Sequence, residues 1–256
     1  MADFPIVPAI ETRMKAYLDW RRQHELDSIR ADKESDDTSA WLFAVQRARD
    51  LEDSLSESDK RTTTRKDSVD KWGATTCIES NDIDQVIFFH KNDTNGETIC
   101  DKNAKRIMHM LPARIDPDLA NARTYANIFA VYMDHNMDRD STEKLTIVID
   151  IRAGTGWGNK PVLKMMGILR AIINTFETNF CERVEKFVVF PVPRIARAIF
   201  NAIKRLFDPN TAKKVVLISG PDDIDAPVPR EKIEKHIDFE VIDYMELARK
   251  SLFKSP

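Results

Sequence analysis

The sequence predicts an α/β fold: a mixed, largely parallel sheet with crossover helices, preceded by a small helical N-terminal region. Three observations lead there. Short apolar runs rich in β-branched residues alternate with long helical patterns in the C-terminal two-thirds, as parallel βαβ units require. The first third carries helical spacing and a high charge density. Ser54 to Lys66, between them, is polar and rich in Ser, Thr and Lys, and reads as a linker or loose turn. We therefore expect two regions, a helical one over 1–72 and an α/β domain over 73–256.

Element by element, Glu11 to Ile29 spaces Met14, Tyr17, Leu18, Leu26 and Ile29 among charged residues. Asp37 or Thr38 is placed to cap a second helix through Trp41, Phe43, Val45, Ala48 and Leu51. Val86 to Phe89 is a short β-favouring run, followed by the turn signal Asn95-Gly96. Thr98 to Cys100 and Arg106 to Leu111 are candidate strands, and Leu119 to Met137 a helix. Leu145 to Ile151 is a buried strand by length and β-branching. Pro161 to Phe180 reads as a helix opened by proline, Phe187 to Phe190 as a buried strand, Pro193 to Phe207 as a helix and Lys214 to Ser219 as a strand.

Bulk composition narrows the function classes. Apolar residues make up 42 % of the 256 and charged residues 32 %, with a formal net charge of −3. That balance supports a real core and disfavours a nucleic-acid partner. Three dispersed cysteines, Cys77, Cys100 and Cys181, form neither a disulfide framework nor a zinc spacing, consistent with a reducing, cytoplasmic setting. The opening residues do not read as a signal peptide. No run approaches the roughly 18 apolar residues of a membrane span.

Candidate catalytic motifs fail on spacing. Gly154 to Lys160 lies between a strand and a helix, where phosphate loops occur, but Asn159 precedes Lys160 and Pro161 follows it, so neither a Walker loop nor a dinucleotide fingerprint is formed. A flexible strand-to-helix connection is expected instead. Asp93, Asn95, Gly96 and Asp101 lack the glutamate spacing of a calcium loop. The five histidines show no metal-ligand spacing on one helix. No nucleophile elbow is present. Asp150 beside Arg152 is read as a strand-end ion pair rather than a catalytic couple. These patterns predict neither an enzyme nor a cofactor or metal site.

Pro193 to Phe207 is the informative segment. At 100° per residue, Arg194, Arg197, Lys204 and Arg205 fall within an arc of about 100°, opposite Ile195, Ile199, Phe200, Ile203 and Phe207. Such a helix suits an anionic membrane surface, or alternatively a solvated face over a core; Lys213 and Lys214 thicken the basic patch. On the preceding helix, Met165, Met166, Leu169, Ile172, Ile173 and Phe176 form an apolar stripe that suits a core or a ligand cavity.

The run Phe180-Cys181-Glu182-Arg183 through Phe190-Pro191-Val192-Pro193 resembles the Glu-Arg strand of CRAL-TRIO domains, the lipid-binding domains of phosphatidylinositol-, tocopherol- and retinal-carrying proteins. Leu206 to Val215 matches the family's downstream segment in spacing, and Leu145 to Asp150 its central strand. The resemblance covers roughly Ile83 to Asp238. It implies a sheet flooring an apolar cavity, with Pro193 to Phe207 as the gate helix. Ile147, Ile149, Met166, Ile173, Phe190 and Val192, with Ile195, Ile199, Ile203 and Phe207 of the gate, would then line the cavity. Glu182 and Lys214 match the headgroup positions of phosphatidylinositol-binding members, and Lys33 the last cation of an N-terminal motif. Arg194, Arg197, Lys204 and Arg205 would meet the membrane. Asp32 replaces a basic headgroup contact, Cys181 stands where proline is usual, and the closing Tyr-Gly-Gly segment is missing. The implied ligand is a lipid-like molecule: phosphatidylinositol, a sterol, a tocopherol or a retinoid. The implied activity is transfer or presentation of that ligand by a peripheral membrane protein. The alternative is a protein-interaction module on the same fold.

Overall fold

In the computed structural model, residues 6–23, 37–62, 83–91, 96–138, 140–158, 160–180, 182–193 and 209–253 are described. Five strands form one sheet in the order β1-β2-β3-β4-β5: β1 (Ile87–Phe88), β2 (Arg106–Met110), β3 (Leu145–Asp150), β4 (Val184–Val192) and β5 (Val215–Ser219). β1 pairs antiparallel with β2, and every later pairing is parallel. The parallel pairs need crossovers. Helix α3 (Ala122–Asn136) joins β2 to β3, α4 (Val162–Asn179) joins β3 to β4, and the short α5 (Pro209–Lys213) precedes β5.

Alternation along the strands divides the sheet into two faces. On the front, Ile87, Met108, Met110, Leu145, Ile147 and Phe187 share a core with Ile128, Phe129 and Tyr132 of α3 and Met165, Ile168 and Ile172 of α4. On the back, Ile107, Val148, Val188, Phe190 and Ile218 pack against Ile233 of α6 (Arg230–Ile233), against Ile237, and against Ile242 and Met245 of α7 (Phe239–Ser251). Burial on both faces explains why β3 is apolar along nearly its whole length. Each buried Ile, Val or Phe contributes about 1.5–3 kcal/mol.

This division corrects the sequence reading at Phe190. Its side chain is 3 % exposed in the back core, 5.7 Å from the guanidinium carbon of Arg152. Ile147 and Ile149 belong to the front. One cavity cannot be lined by all three.

Helix α1 (Ile6–Gln23) meets α4, and its Arg21 forms a buried ion pair with Asp134 of α3 at 2.8 Å. Helix α2 (Asp37–Thr62) presents Trp41, Ala44, Val45 and Ala48, the spacing of one helical face, to the front core. It runs through Ser54 to Thr62, where the composition suggested a linker. That stretch holds neither Gly nor Pro, and polar residues alone do not break a helix. Asp37 is more than a cap: it accepts hydrogen bonds from Gln85 (2.6 Å), the Phe89 backbone N–H (3.2 Å) and the Tyr132 hydroxyl. Burial raises its carboxyl above the usual range, although those bonds oppose the shift.

Two further elements differ from expectation. Thr98 to Cys100 makes only isolated bridges, Lys91 to Thr98 and Cys100 to Arg106. Asp101 breaks the run by accepting the backbone N–H groups of Asn103 and Lys105 in a tight turn. Helix α3 begins at Asn121, whose side chain caps the N–H groups of Arg123 and Thr124. The expected turn residue Asn95, residues 24–29 of the first helix, and nearly all of the expected gate helix, 194–207, lie outside the described residues. Among the described residues, no helix is long and apolar enough to cross a membrane.

Candidate functional site

The front face changes character across the sheet. Toward β1 and β2 it is closed by α2 and α3. Toward β4 and β5 the apolar residues are less fully covered: Ile147, Val189 and Ile173 are buried, whereas Ile149, Val215, Leu217, Met166, Leu169 and Phe176 are half-buried. Register aligns Ile149 with Val189 and Val189 with Leu217, so these three form one row. With the exposed edge of α4 they make an apolar strip at the end of the front core.

At the N-terminal ends of β4 and β5, Glu182 and Lys214 approach each other, with Nζ 3.4 Å from Oε2. The Lys214 ammonium also donates to the Val184 carbonyl at 2.8 Å. Its backbone is fixed by a bond to Thr211 O and by the ladder bond from Phe187 N. Glu182 has φ +63°, uncommon for a residue with a Cβ. The adjoining Arg183 secures the turn by donating to the carbonyls of Glu143 and Asp138, both at 2.8 Å. Glu182 is 70 % exposed and Lys214 24 %. The pair is thus a solvent-facing cation and anion on a braced turn. At the opposite end of β4, about 26 Å away along the strand, Val192, Pro193, Gly220, Pro221 and Lys232 border a hollow of about 420 Å³.

The other motifs are consumed by structure. Gly154 to Trp157 is a closed turn, not a flexible connection: Gly154 N donates to Trp157 O at 2.8 Å and Trp157 N to Gly154 O at 3.0 Å. The Trp157 ring, 8 % exposed, fills the space a side chain on Gly154 would need; a Cβ there would lie 2.2 Å from a ring carbon. The guanidinium groups of Arg114 and Arg249 and the ring of Phe253 surround that indole. Among the described residues of this segment, no phosphate cradle remains. Gly154→Ala is expected to destabilise the fold by about 1–3 kcal/mol through overpacking, read as a lowered midpoint of urea unfolding. Asp101 is likewise committed, accepting from Thr146 at 2.6 Å and pairing with Lys186 at 2.9 Å.

The Asp150–Arg152 ion pair is present and more extensive than neighbouring residues could reveal. Arg152 Nη2 reaches Asp150 at 2.6 Å and Glu246 of α7 at 2.5 Å. His90 and His109, distant in sequence, meet at 3.0 Å; antiparallel pairing of Phe88 with His109 brings them together. Among the described residues, no group of three or more His, Cys, Asp or Glu could hold a metal. Lys33, Arg194, Ile195, Arg197, Ile199, Ile203, Lys204, Arg205 and Phe207 lie outside the described residues.

The family model for the CRAL/TRIO domain matches residues 85–242. The chain belongs to the CRAL/TRIO domain family. This family is one of lipid-binding and lipid-transfer domains rather than of enzymes. A CRAL-TRIO domain-containing protein of Schizosaccharomyces pombe is 20 % identical over 158 residues, covering 61 % of this chain and 15 % of the relative. The chain therefore spans a small fraction of that relative's length. The crystal structure of Sfh5 is similar at 18 % identity and a TM-score of 0.41, over 53 % of this chain and 48 % of that one. The CRAL/TRIO match contains β1 to β5, α3 and α4, and ends within α7; α1 and α2 precede it.

Proposed function

We propose that this CRAL/TRIO domain holds one lipid-like molecule along the front of β3 to β5 and α4, and transfers or presents it at membranes. The observation that carries the reading is the half-covered apolar strip, bordered at one end of the strands by the Glu182–Lys214 pair. A ligand apolar along its length and polar at one end has complementary chemistry. Ile147, Ile149, Met166 and Ile173 meet the apolar part, and Val192 lies at the far end of β4. Lys214 donates to an anionic or hydroxylated headgroup. Glu182 accepts from its hydroxyls, and Lys33 adds a second cation.

Burying an acyl chain is worth about 0.8 kcal/mol per CH2, so the carrier needs only to match the bilayer for exchange to occur. Ile195, Ile199, Ile203 and Phe207 close over the ligand. Arg194, Arg197, Lys204 and Arg205 face the anionic leaflet, each worth about 1 kcal/mol there. The protein meets the membrane peripherally and carries out no chemical reaction.

Organic extraction and mass spectrometry of the purified protein test the reading. A stoichiometric phospholipid is expected, with Lys214→Ala weakening its retention about tenfold or more. Arg194→Glu with Arg197→Glu is expected to slow transfer between anionic vesicles while the bound lipid is retained. A bound sterol or isoprenoid keeps the carrier and removes the headgroup role of Glu182 and Lys214. An empty protein that takes up no labelled lipid from vesicles overturns the proposal in favour of a protein-interaction module.

A further inference from the structure

Helix α7 is tied to the back of the sheet by a buried polar seam as well as by apolar contact. Arg152, 1 % exposed, donates through Nε to both Asp150 oxygens, at 2.9 and 3.1 Å, and through Nη1 to Ala226 O at 2.8 Å. Its Nη2 bridges Asp150 to Glu246. Arg249, fully buried, donates to the carbonyls of Ala153 and Ile224, and its Nε lies 3.6 Å from Asp150. Two buried cations therefore meet two carboxylates, and the exposed Lys250 reaches Glu246 from outside at 3.4 Å.

The histidine pair adjoins this seam. His109, on β2, is 1 % exposed; its Nδ1 lies 3.0 Å from His90 Nε2, and its own Nε2 has no hydrogen-bond partner. A cavity of about 10 Å³ is lined by His109, Asp150, Arg152 and Glu246 among others, the space of roughly one water. Tyr244 of α7 stands edge-on to His90 at 5.4 Å, and its hydroxyl donates to Lys91 O at 3.0 Å.

We propose that α7 is an acid-released cover, docked on the sheet only while the His90–His109 pair carries no net charge. The 3.0 Å nitrogen-to-nitrogen contact holds one proton between the two rings, and protonating both rings would set two N–H donors against each other; a single added proton leaves that contact intact and is opposed instead by burial and by the cations of the seam. The added charge would also be the odd one in the seam. The charged and titratable groups facing the pair are His90 itself with Lys91 beside it after β1, Asp150 of β3, Arg152 beyond it, and Tyr244, Glu246 and Arg249 of α7. The remaining residues that line the cavity, Phe190, Val228, Ile233, Ile237, Ile242 and Met245, are apolar. A protonated pair therefore adds a third buried cation to the two carboxylates near His109, one of which Lys250 already pairs from outside, in a site where uncompensated charge is costly.

Burial acts in the same direction. It lowers His90 to about 4, and it lowers His109 well below the ordinary value, helped by the charges of His90, Arg152 and Arg249. Undocked, both imidazoles return toward about 6.5. The undocked state then binds more protons than the docked one, so docking is fully stable above about pH 6.5 and weakens as pH falls toward 4. Glu246 does not set this window. Burial raises its carboxyl, but the Arg152 hydrogen bond and the charges of Arg152, Arg249 and Lys250 prevail and hold it below the usual range.

Hydrogen–deuterium exchange of the full chain, corrected for intrinsic rates, tests the proposal. Protection of 239–251 is expected to fall by up to about a hundredfold per pH unit below about 6.5, tenfold for each imidazole, while that of α3 persists. In NMR spectra, the His90 and His109 imidazoles are expected to titrate together with that loss. His109→Gln and His90→Gln, which keep a polar side chain without the titration, are each expected to remove one imidazole's share of that slope, and the double variant to flatten the α7 profile down to about pH 4.5. If neither variant folds, the wild-type imidazole titration decides. Constant α7 protection down to about pH 4.5, or imidazoles that protonate near 6.5 with α7 still protected, overturns the proposal.

Discussion

Replacing Arg152 by leucine is expected to lower the unfolding free energy by about 3–5 kcal/mol, the cost of breaking a buried ion pair from one side. Asp150 is 1 % exposed and would lose three hydrogen bonds from one guanidinium; Glu246 and the Ala226 carbonyl would each lose a donor. Arg249 is a poorer partner: its Nη2 is held by the Ala153 and Ile224 carbonyls, and its Nε and Nη1 lie 3.6 and 3.8 Å from Asp150 and Glu246, beyond hydrogen-bonding distance. Urea unfolding followed by circular dichroism at neutral pH measures the change. The double variant Asp150→Leu/Arg152→Leu is expected to be less destabilised than Arg152→Leu alone, since it leaves no orphaned carboxylate on β3. A single-variant loss below about 1 kcal/mol would mean that water reaches the seam. Glu246 adds a pH signature. Its folded carboxyl is held below the ordinary value, so its contribution is present above about pH 4.5 and lost as pH falls through the depressed value. Arg152→Leu should remove most of that acid dependence.

Trp41→Ala is expected to cost about 3–5 kcal/mol. The indole is 1 % exposed, edge-on to Phe129 at 6.3 Å and to Tyr132 at 5.7 Å, and it donates to Ile83 O at 3.1 Å. Truncation leaves a cavity between α2 and α3 and a buried carbonyl without its donor. The result bears on organisation: Trp41 precedes the segment matched by the family, yet it lies in the same core as Met108 and Ile147. Thermal unfolding of the variant should remain a single transition at lower temperature. Retention of wild-type stability would mean that α2 docks without supporting the sheet.

The sequence made β3, β4 and β5 legible because strands covered on both faces become unbroken apolar runs. The same property hid which way each residue points. Phe187 to Phe190 is apolar throughout, so periodicity has no contrast to report, and the sequence does not reveal that Phe190 packs in the back core. A bulge adds to the difficulty: Leu145 pairs with Val184 but Thr146 with Lys186, which brings Val184 and Phe187 to one side. The polar run from Ser54 has the composition of a linker, yet up to Thr62 it holds no helix breaker. Asp150 and Arg152 are neighbours and their pairing was readable; Glu246 and Arg249 join them only through the tertiary fold. His90 and His109 needed the β1–β2 register. Glu182 and Lys214 were legible through spacing against a known family, and the structure brings their side chains within 3.4 Å.

The long reach of the α7 seam also orders events during synthesis. Glu246 follows Arg152 by 94 residues and Tyr244 follows Lys91 by 153. At about 5–20 residues per second the ribosome needs roughly 5–20 s to make the stretch from Arg152 to Glu246. Over that interval Ile107 and Val148, joined by Val188 once it is made, lack their helical partner. Arg152 is not left unpaired meanwhile, because Asp150 is only two residues away and the loop between them costs almost nothing to close. The local half of the seam can thus hold its charge until the distant half arrives.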